Sequence, residues 1–163
     1  MQYGAWMATL VIVPCGKSKI WDKKPNVSDV KARDVYTGAP FKVNREYAES
    51  FGVDWVILSA KYGFLEPDEI IPGNYNVTFN DPSTNPISLK ELKNQVERSY
   101  SNYTCIITLG GSTYSEIVSQ VFIDERTSVY SPAAGLPIGK AMTIVKNTIR
   151  AGKPFTCEET KGE

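Results

Sequence analysis

Four short apolar runs alternate along the chain with longer amphipathic segments, and this alternation predicts the fold. The runs lie near residues 9–14, 55–60, 104–109 and 127–131, and all but the last are rich in β-branched residues. Such runs are typical of strands that are buried on both faces of a parallel sheet. Their alternation with helices favours a single Rossmann-like α/β domain, with a mainly parallel sheet of about four strands flanked by helices.

Capping residues mark where the intervening helices are predicted to begin. Thr37 is the predicted N-cap of the first helix. Ser88 with Glu91, and Thr113 with Glu116, each have the spacing of a capping box. The four helices are predicted over about residues 37–51, 88–100, 113–122 and 137–151.

The domain organisation follows from the extent of these elements. The chain has 163 residues, which is enough for one domain with a real core. The α/β domain is predicted to span residues 9–152. Residues 1–8 are expected to form an N-terminal extension, and the polar tail over residues 153–163 is expected to fray.

Composition and charge narrow the possible partners. The 18 basic and 18 acidic residues give a net charge of zero, so no global field draws the protein onto nucleic acid or membrane. No apolar run reaches the length of a membrane span and the start does not read as a secretion signal, so we expect a cytoplasmic protein with no membrane partner. The oligomeric state stays open.

The types of reactive side chain in the sequence limit the reactions that a catalytic site could perform. The absence of histidine excludes Ser-His-Asp and Cys-His catalysis and His-ligated metals, so acid–base work falls to Asp, Glu, Lys, Tyr or Cys. No metal or cofactor is predicted. None of the three cysteines, Cys15, Cys105 and Cys157, belongs to a CxxC pair, so we expect neither a disulfide framework nor structural zinc, and a reducing compartment.

The first of two long strand-to-helix connections, residues 15–36, carries local positive charge. Ligands bind beyond the carboxyl ends of parallel strands, and loops of this length are commonly functional. Between residues 15 and 33 there are six basic and two acidic side chains. Lys19 and Arg33 are predicted to meet phosphate and Trp21 to stack on a base, while Cys15 and Lys17 are catalytic candidates. The alternative is that these lysines are simply solvated.

The second long connection covers residues 61–87. Lys61 leaves a central strand as a candidate nucleophile or cation, and Glu66 and Asp68 follow as proton-transfer groups. Ser59 and Tyr75 are predicted to contact the ligand. The alternative is that Lys61 only neutralises the nearby carboxylates.

Two glycine-bearing turns complete the candidate site. Gly110, Gly111 and Ser112 precede a helix, where free backbone N–H groups suit a phosphate. Gly135 permits close backbone approach before the last helix. The alternative for the glycine pair is a tight turn without a ligand.

Several motifs together resemble a known family. Pro14-Cys-Gly-Lys-Ser-Lys19, Ala32-Arg-Asp-Val-Tyr-Thr37 and Leu58-Ser-Ala-Lys-Tyr-Gly-Phe-Leu-Glu-Pro-Asp68, followed by Asn74-Tyr75, are similar to the YaaA-like proteins. The opening also resembles the core motif of archaeosine synthases, which modify a deazaguanine base in tRNA. Their Pro-Tyr pair is replaced here by Ile20-Trp21 and their histidine is missing. The resemblance implies a YaaA-like core domain and pocket, and an association with DNA binding and stress protection.

The sequence therefore predicts an enzyme directed at a nucleobase, nucleotide or nucleic acid. The reaction would cleave a glycosidic bond or modify a base in a cleft at the strand carboxyl ends. The alternative is a non-catalytic nucleic-acid-binding module of a stress response. A redox sensor at Cys15 is a third reading, which lacks an evident resolving cysteine.

Overall fold

A five-stranded sheet forms the centre of the computed structural model, which describes residues 8–157. The strands in chain order are β1 (Thr9–Pro14), β2 (Val30–Lys31), β3 (Asp54–Ser59), β4 (Gly63–Leu65), β5 (Ile70–Ile71), β6 (Cys105–Thr108) and β7 (Ser128–Tyr130). The main sheet has the order β4-β3-β1-β6-β7, and β2 and β5 form a separate pair. The four predicted strands are confirmed and run parallel, while β4 adds an antiparallel edge.

Helices cover both faces of this sheet. They are α1 (Ala32–Val35), α2 (Ala39–Phe51), α3 (Leu89–Ser99), α4 (Ser112–Val121) and α5 (Ile138–Ala151), with short 3-10 turns at Ile20–Asp22 and Pro82–Thr84. Val11 and Val13 of β1 face the cluster that includes α2 and α5. Leu10 and Ile12 of the same strand face α3 and α4. The alternation of side chains along a strand thus gives β1 two buried faces, as its apolar run predicts.

Two of the predicted helix starts are displaced, whereas the third is confirmed. The Ser88 side chain accepts a hydrogen bond from the Glu91 N–H at 3.1 Å, as predicted. The other two predicted caps are wrong, because α2 begins after Gly38 and α4 after Gly111, neither of which has a capping side chain. Both helices therefore start with N–H groups that no side chain caps.

The end of the described chain is packed rather than frayed. The backbone N–H of Phe155 donates to the Tyr47 hydroxyl at 2.8 Å, and the Phe155 ring lies against Tyr47 and Tyr130. Cys157 is disulfide-bonded to Cys105 at the start of β6. The expectations of a frayed tail and of no disulfide are therefore wrong over residues 153–157. The predicted extension at 1–7 and the tail at 158–163 lie outside the described residues.

The architecture is mixed α/β with a mostly parallel sheet. The closer assignment to a Rossmann-like fold stays a prediction, as do the domain boundaries. None of the helices described within residues 8–157 has the length and apolar character of a membrane-spanning segment.

Candidate functional site

The two long loops are joined to each other at the carboxyl end of the sheet. Val30 in the first loop pairs with Ile71 in the second, so β2 and β5 form an antiparallel ribbon between them. Lys19 also bridges to Tyr36 across the base of the first loop. The Cys15 N–H donates to the Leu58 carbonyl at 3.0 Å, which ties the start of the first loop to β3. These contacts fix loop side chains that the strand ends alone would leave mobile.

A cleft of about 460 Å³ lies between these loops, directly beyond β1. This volume is within the range of about 300–1,000 Å³ that is usual for small-molecule sites. Its walls come from the first loop, the second loop and α4. The lining residues are Cys15, Gly16, Lys17, Lys19, Tyr75, Asn76, Val77, Thr78, Asn80, Asp81, Thr84 and Tyr114.

Three hydroxyl groups form a buried network beside this cleft. The Tyr75 hydroxyl contacts the Ser59 hydroxyl at 3.0 Å and also hydrogen-bonds to the Tyr36 hydroxyl. Ser59 Oγ accepts the N–H groups of Lys61 and Tyr62, both at 3.2 Å. Burial raises the pKa of Tyr75 to about 12 and raises that of Tyr36 further, so both phenols are neutral hydrogen-bonding groups at neutral pH.

Lys19 is a buried cation without a carboxylate partner among the salt bridges of residues 8–157. Only 7% of the residue is exposed, and its Nζ donates to the Lys17 carbonyl at 3.3 Å. The Nζ also lies 4.7 Å from the centre of the Tyr75 ring. Desolvation lowers the pKa of the Lys19 ammonium, and the nearby Cys15 and Asp22 only partly oppose this. The amine therefore loses its proton more readily than an exposed lysine does.

Cys15 is the free thiol of the described chain and lies at the end of the central strand β1. Its Sγ is 3.5 Å from the Tyr114 hydroxyl, on the first turn of α4. Burial raises the pKa of Tyr114, and the interaction with Cys15 raises it further, so this phenol keeps its proton. The site thus combines a thiol, a buried amine and a neutral hydroxyl donor.

Other predicted site residues lie apart from the cleft. Trp21 is only 4% exposed and its indole donates to the Val27 carbonyl at 2.6 Å, so it is not available to stack on a base. Arg33 forms salt bridges with Glu49 at 2.9 Å and with Asp68 at 3.0 Å. Glu66 accepts the Tyr100 hydroxyl at 2.8 Å. Neither Glu66 nor Asp68 lines the cleft. The geometry of the cleft therefore gives no support for proton transfer by these two carboxylates.

The remaining predicted site residues lie outside the cleft. Lys61 is exposed, with its Nζ 5.5 Å from the centre of the Tyr75 ring. Gly110 and Gly111 line a separate, smaller cavity together with residues of α2 and α5. Ser112 is the exposed first residue of α4. Gly135 has a φ of +83°, which explains the glycine at that turn without a ligand.

Sequence reasoning missed three groups that form this site. Tyr36 lies within a motif that was recognised, but its contact with Tyr75 depends on how the loops fold over each other. Tyr114 follows the glycine turn, where only tertiary structure places its hydroxyl beside a thiol 99 positions away. The polar wall from Asn76 to Thr84 carries no motif. Among residues 8–157, no cluster of three or more acidic or thiol side chains suits a metal ion.

Comparison with known proteins identifies relatives of unknown function. Residues 10–147 match a family of unknown function, DUF6884. The uncharacterized protein YfjM of Bacillus subtilis (strain 168) is 40% identical over 116 residues, which are 71% of this chain and 77% of that relative. No solved structure matches the chain.

These matches correct the family resemblance inferred from short motifs. The assignment to YaaA-like proteins, with its partial likeness to archaeosine synthases, is wrong, since the match over residues 10–147 is to a different family. A match over most of the chain identifies a family more specifically than a few short motifs do. The chain belongs to the family of unknown function DUF6884.

Proposed function

We propose that this protein is an enzyme that modifies a nucleobase-containing ligand, with Cys15 as its nucleophile. The observation that carries the proposal is the free Cys15 thiol, which lies in a cleft beside the buried and unpaired Lys19. A thiol becomes nucleophilic as the thiolate, and a neighbouring lysine favours that form. Reactive groups of this kind in a cleft point to chemistry rather than to packing.

The covalent step that fits this arrangement is addition to an electron-poor ring. The Cys15 thiol gives its proton to solvent, the Lys19 ammonium stabilises the thiolate, and the sulfur then forms a bond to a ring carbon. The electron pair of the ring double bond moves to a conjugated carbonyl oxygen. The Lys19 ammonium gives a proton to that oxygen and regains one from solvent, and the Tyr114 hydroxyl donates a hydrogen bond to the adduct.

Base modification is better supported than cleavage of a glycosidic bond. Cleavage by paired carboxylates needs two acidic groups that flank the bond. Glu66 and Asp68 do not line the cleft, and Asp81 is the one acidic residue among its described walls. Thiol addition, in contrast, uses the groups that are present.

The walls of the cleft favour a polar, anionic ligand. Lys17 and Lys19 line it against the single carboxylate of Asp81. The side chains of Asn76, Thr78 and Asn80 supply amide and hydroxyl groups suited to the edge of a base. The Tyr75 ring already lies against the ammonium groups of Lys19 and Lys61, so recognition at the edge of the base is better supported than stacking on this ring.

Direct binding and adduct formation test this proposal together. We expect calorimetric titration to detect binding of a nucleobase, nucleoside or mononucleotide, and intact-mass spectrometry to detect an adduct on Cys15. Cys15→Ser should keep the binding and lose the adduct. If none of these compounds binds, the proposal is wrong. Salt-dependent binding of oligonucleotides that Cys15→Ser leaves unchanged, without any adduct, would instead support the non-catalytic module.

The role of Lys19 gives a second test, which needs no knowledge of the substrate. Lys19→Met is expected to slow alkylation of Cys15 by iodoacetamide about tenfold at neutral pH, because the neighbouring cation is lost. Unfolding stability should hold or rise, since the variant removes a buried charge. Lys24→Met, on an exposed lysine of the same loop, is the matched control. Equal alkylation rates in all three proteins would contradict the role given to Lys19.

A further inference from the structure

Lys19 and Asp81 bring opposite charges to the cleft without pairing with each other. Both residues line it, yet none of the salt bridges within residues 8–157 joins them. The buried Lys19 Nζ donates to the Lys17 carbonyl, and its other N–H groups have no acceptor among the described residues. Buried polar groups nearly always have a partner. The cleft therefore suits a ligand that offers an acceptor to Lys19 and a donor to Asp81.

The carboxylate of Asp81 is held at one oxygen only. Its Oδ1 accepts the Ser83 N–H at 3.0 Å and the Ser83 hydroxyl at 2.7 Å, which caps the short turn Pro82–Thr84. Its Oδ2 accepts no hydrogen bond from the residues that the structure describes. The hydrogen bonds from Ser83 lower the pKa of this carboxyl, so Asp81 stays ionised at neutral pH. The turn uses Oδ1, and Oδ2 is left as an oriented acceptor.

The loop that carries Asp81 is held beside the candidate nucleophile. Hydrogen bonds within residues 78–84 close this loop on itself. The Phe79 ring lies edge-on against the Tyr114 ring, with 5.8 Å between their centres. The Tyr114 hydroxyl is in turn 3.5 Å from Sγ of Cys15. These contacts fix the wall that contains Asp81 next to the wall that contains the thiol.

These groups together select one type of nucleobase. Thiol addition needs a ring double bond conjugated to a carbonyl, and uracil and thymine have one between C5 and C6, next to the carbonyl at C4. The N3–H beside that carbonyl is a donor for Asp81, and the carbonyl is an acceptor for Lys19. Cytosine has a bare ring nitrogen in place of the N3–H, which a carboxylate repels. In purines the corresponding double bond is shared by two fused rings.

We infer that the cleft takes a uracil-type pyrimidine, with Asp81 bound to its ring N–H and Lys19 to the adjacent carbonyl. This inference rests on the proposed function and names its substrate class. The Cys15 thiolate then forms its bond to C6, and the electron pair of the double bond moves to the carbonyl oxygen, which takes a proton from Lys19.

The addition makes the neighbouring ring carbon reactive. The enol formed by the addition takes a proton from solvent at C5 and gives its O–H proton to water. The same steps in reverse release the original C5 hydrogen and the thiolate, which restores the ring. In deuterium oxide each such cycle replaces the hydrogen at C5 with deuterium. The exchange needs no oxidant and no second substrate, so it can be measured on the protein alone.

Proton NMR in deuterium oxide tests this exchange. We expect wild type to remove the C5 hydrogen signal of uridine monophosphate, and Cys15→Ser to leave that signal at the rate seen without protein. The absence of exchange with wild type would overturn the inference. If guanosine monophosphate then binds and forms the Cys15 adduct, the proposed function survives with a different substrate class. If no nucleotide binds, both are wrong.

Asp81→Asn gives a second test, which a purely structural role would not pass. Asparagine caps a helical turn as well as aspartate does, so the fold should hold. Because Ser83 donates to the oxygen at the Oδ1 position, the amide NH₂ takes the place of the free Oδ2. That NH₂ opposes the N3–H of uracil and matches the bare ring nitrogen of cytosine.

Calorimetry should therefore show a change of preference in Asp81→Asn. We expect uridine monophosphate to bind about tenfold more weakly than to wild type, and cytidine monophosphate to bind more tightly. Asp124→Asn is the matched control, since Asp124 also accepts the N–H two residues ahead but lies outside the cleft, and it should bind both nucleotides as wild type does. An unchanged preference in Asp81→Asn would overturn the role of Asp81.

Discussion

Breaking the Cys105–Cys157 disulfide is expected to lower the free energy of unfolding by about 2–4 kcal/mol. The bridge joins residues 52 positions apart, so its loss frees a long loop in the unfolded chain. It also releases the segment that brings Phe155 against Tyr47 and Tyr130. Urea denaturation of wild type with and without a reducing agent measures the effect.

Cys157→Ser provides the control for this measurement. Its unfolding midpoint should match that of reduced wild type and should not respond to the reducing agent. Thiol titration of unreduced, denatured wild type should count one thiol, from Cys15, out of the three cysteines. A count of three, or a midpoint that ignores reduction, would contradict the disulfide.

The central part of the fold was predictable because its strands are continuous apolar runs. β1, β3 and β6 are buried on both faces, so nearly every position had to be apolar and the pattern was unambiguous. β2 and β5 have two residues each and β4 has three, which is too short for any periodicity. Their pairing depends on contacts between distant loops.

The disulfide could not be predicted from the sequence, for a related reason. Spacing along the chain says nothing about two cysteines that meet only after α5 turns the chain back towards β6. The odd number of cysteines also favours the expectation that the cysteines are free thiols and not disulfide-bonded. The tail beyond α5 looked polar in sequence, but Phe155 and Cys157 anchor it to the core.

The candidate site was partly predictable from topology. Cys15 and Lys17 follow β1 directly, so the parallel sheet brings them to its carboxyl edge. Trp21 and Arg33 are predicted to contact the ligand because an aromatic ring beside a basic patch suits a base and its phosphate. Their actual partners, the Val27 carbonyl and Glu49, could not be inferred from charge or spacing. The local sequence pattern thus predicts which edge of the sheet carries a site. Tertiary contacts determine which side chains face that site.

The glycine turn after β6 links the stability of the fold to the position of the candidate nucleophile. Gly110 has a φ of +95°, which side-chain-bearing residues rarely adopt. A Cβ at this position would also lie 2.5 Å from Cγ of Pro14, the residue before Cys15. Proline cannot move its ring away as a flexible side chain would, so the backbone of β1 or of the turn must shift.

Gly110→Ala is accordingly expected to lower the free energy of unfolding by about 2–4 kcal/mol, from backbone strain and from overpacking. Because the displaced Pro14 carries Cys15 with it, alkylation of Cys15 should also change in the folded variant. Gly139→Ala is the matched control: it lies inside α5, where a Cβ has open space, and it should stabilise by up to about 1 kcal/mol. Urea denaturation compares the two. If Gly110→Ala is as stable as Gly139→Ala, the turn does not hold Pro14 and Cys15 in place.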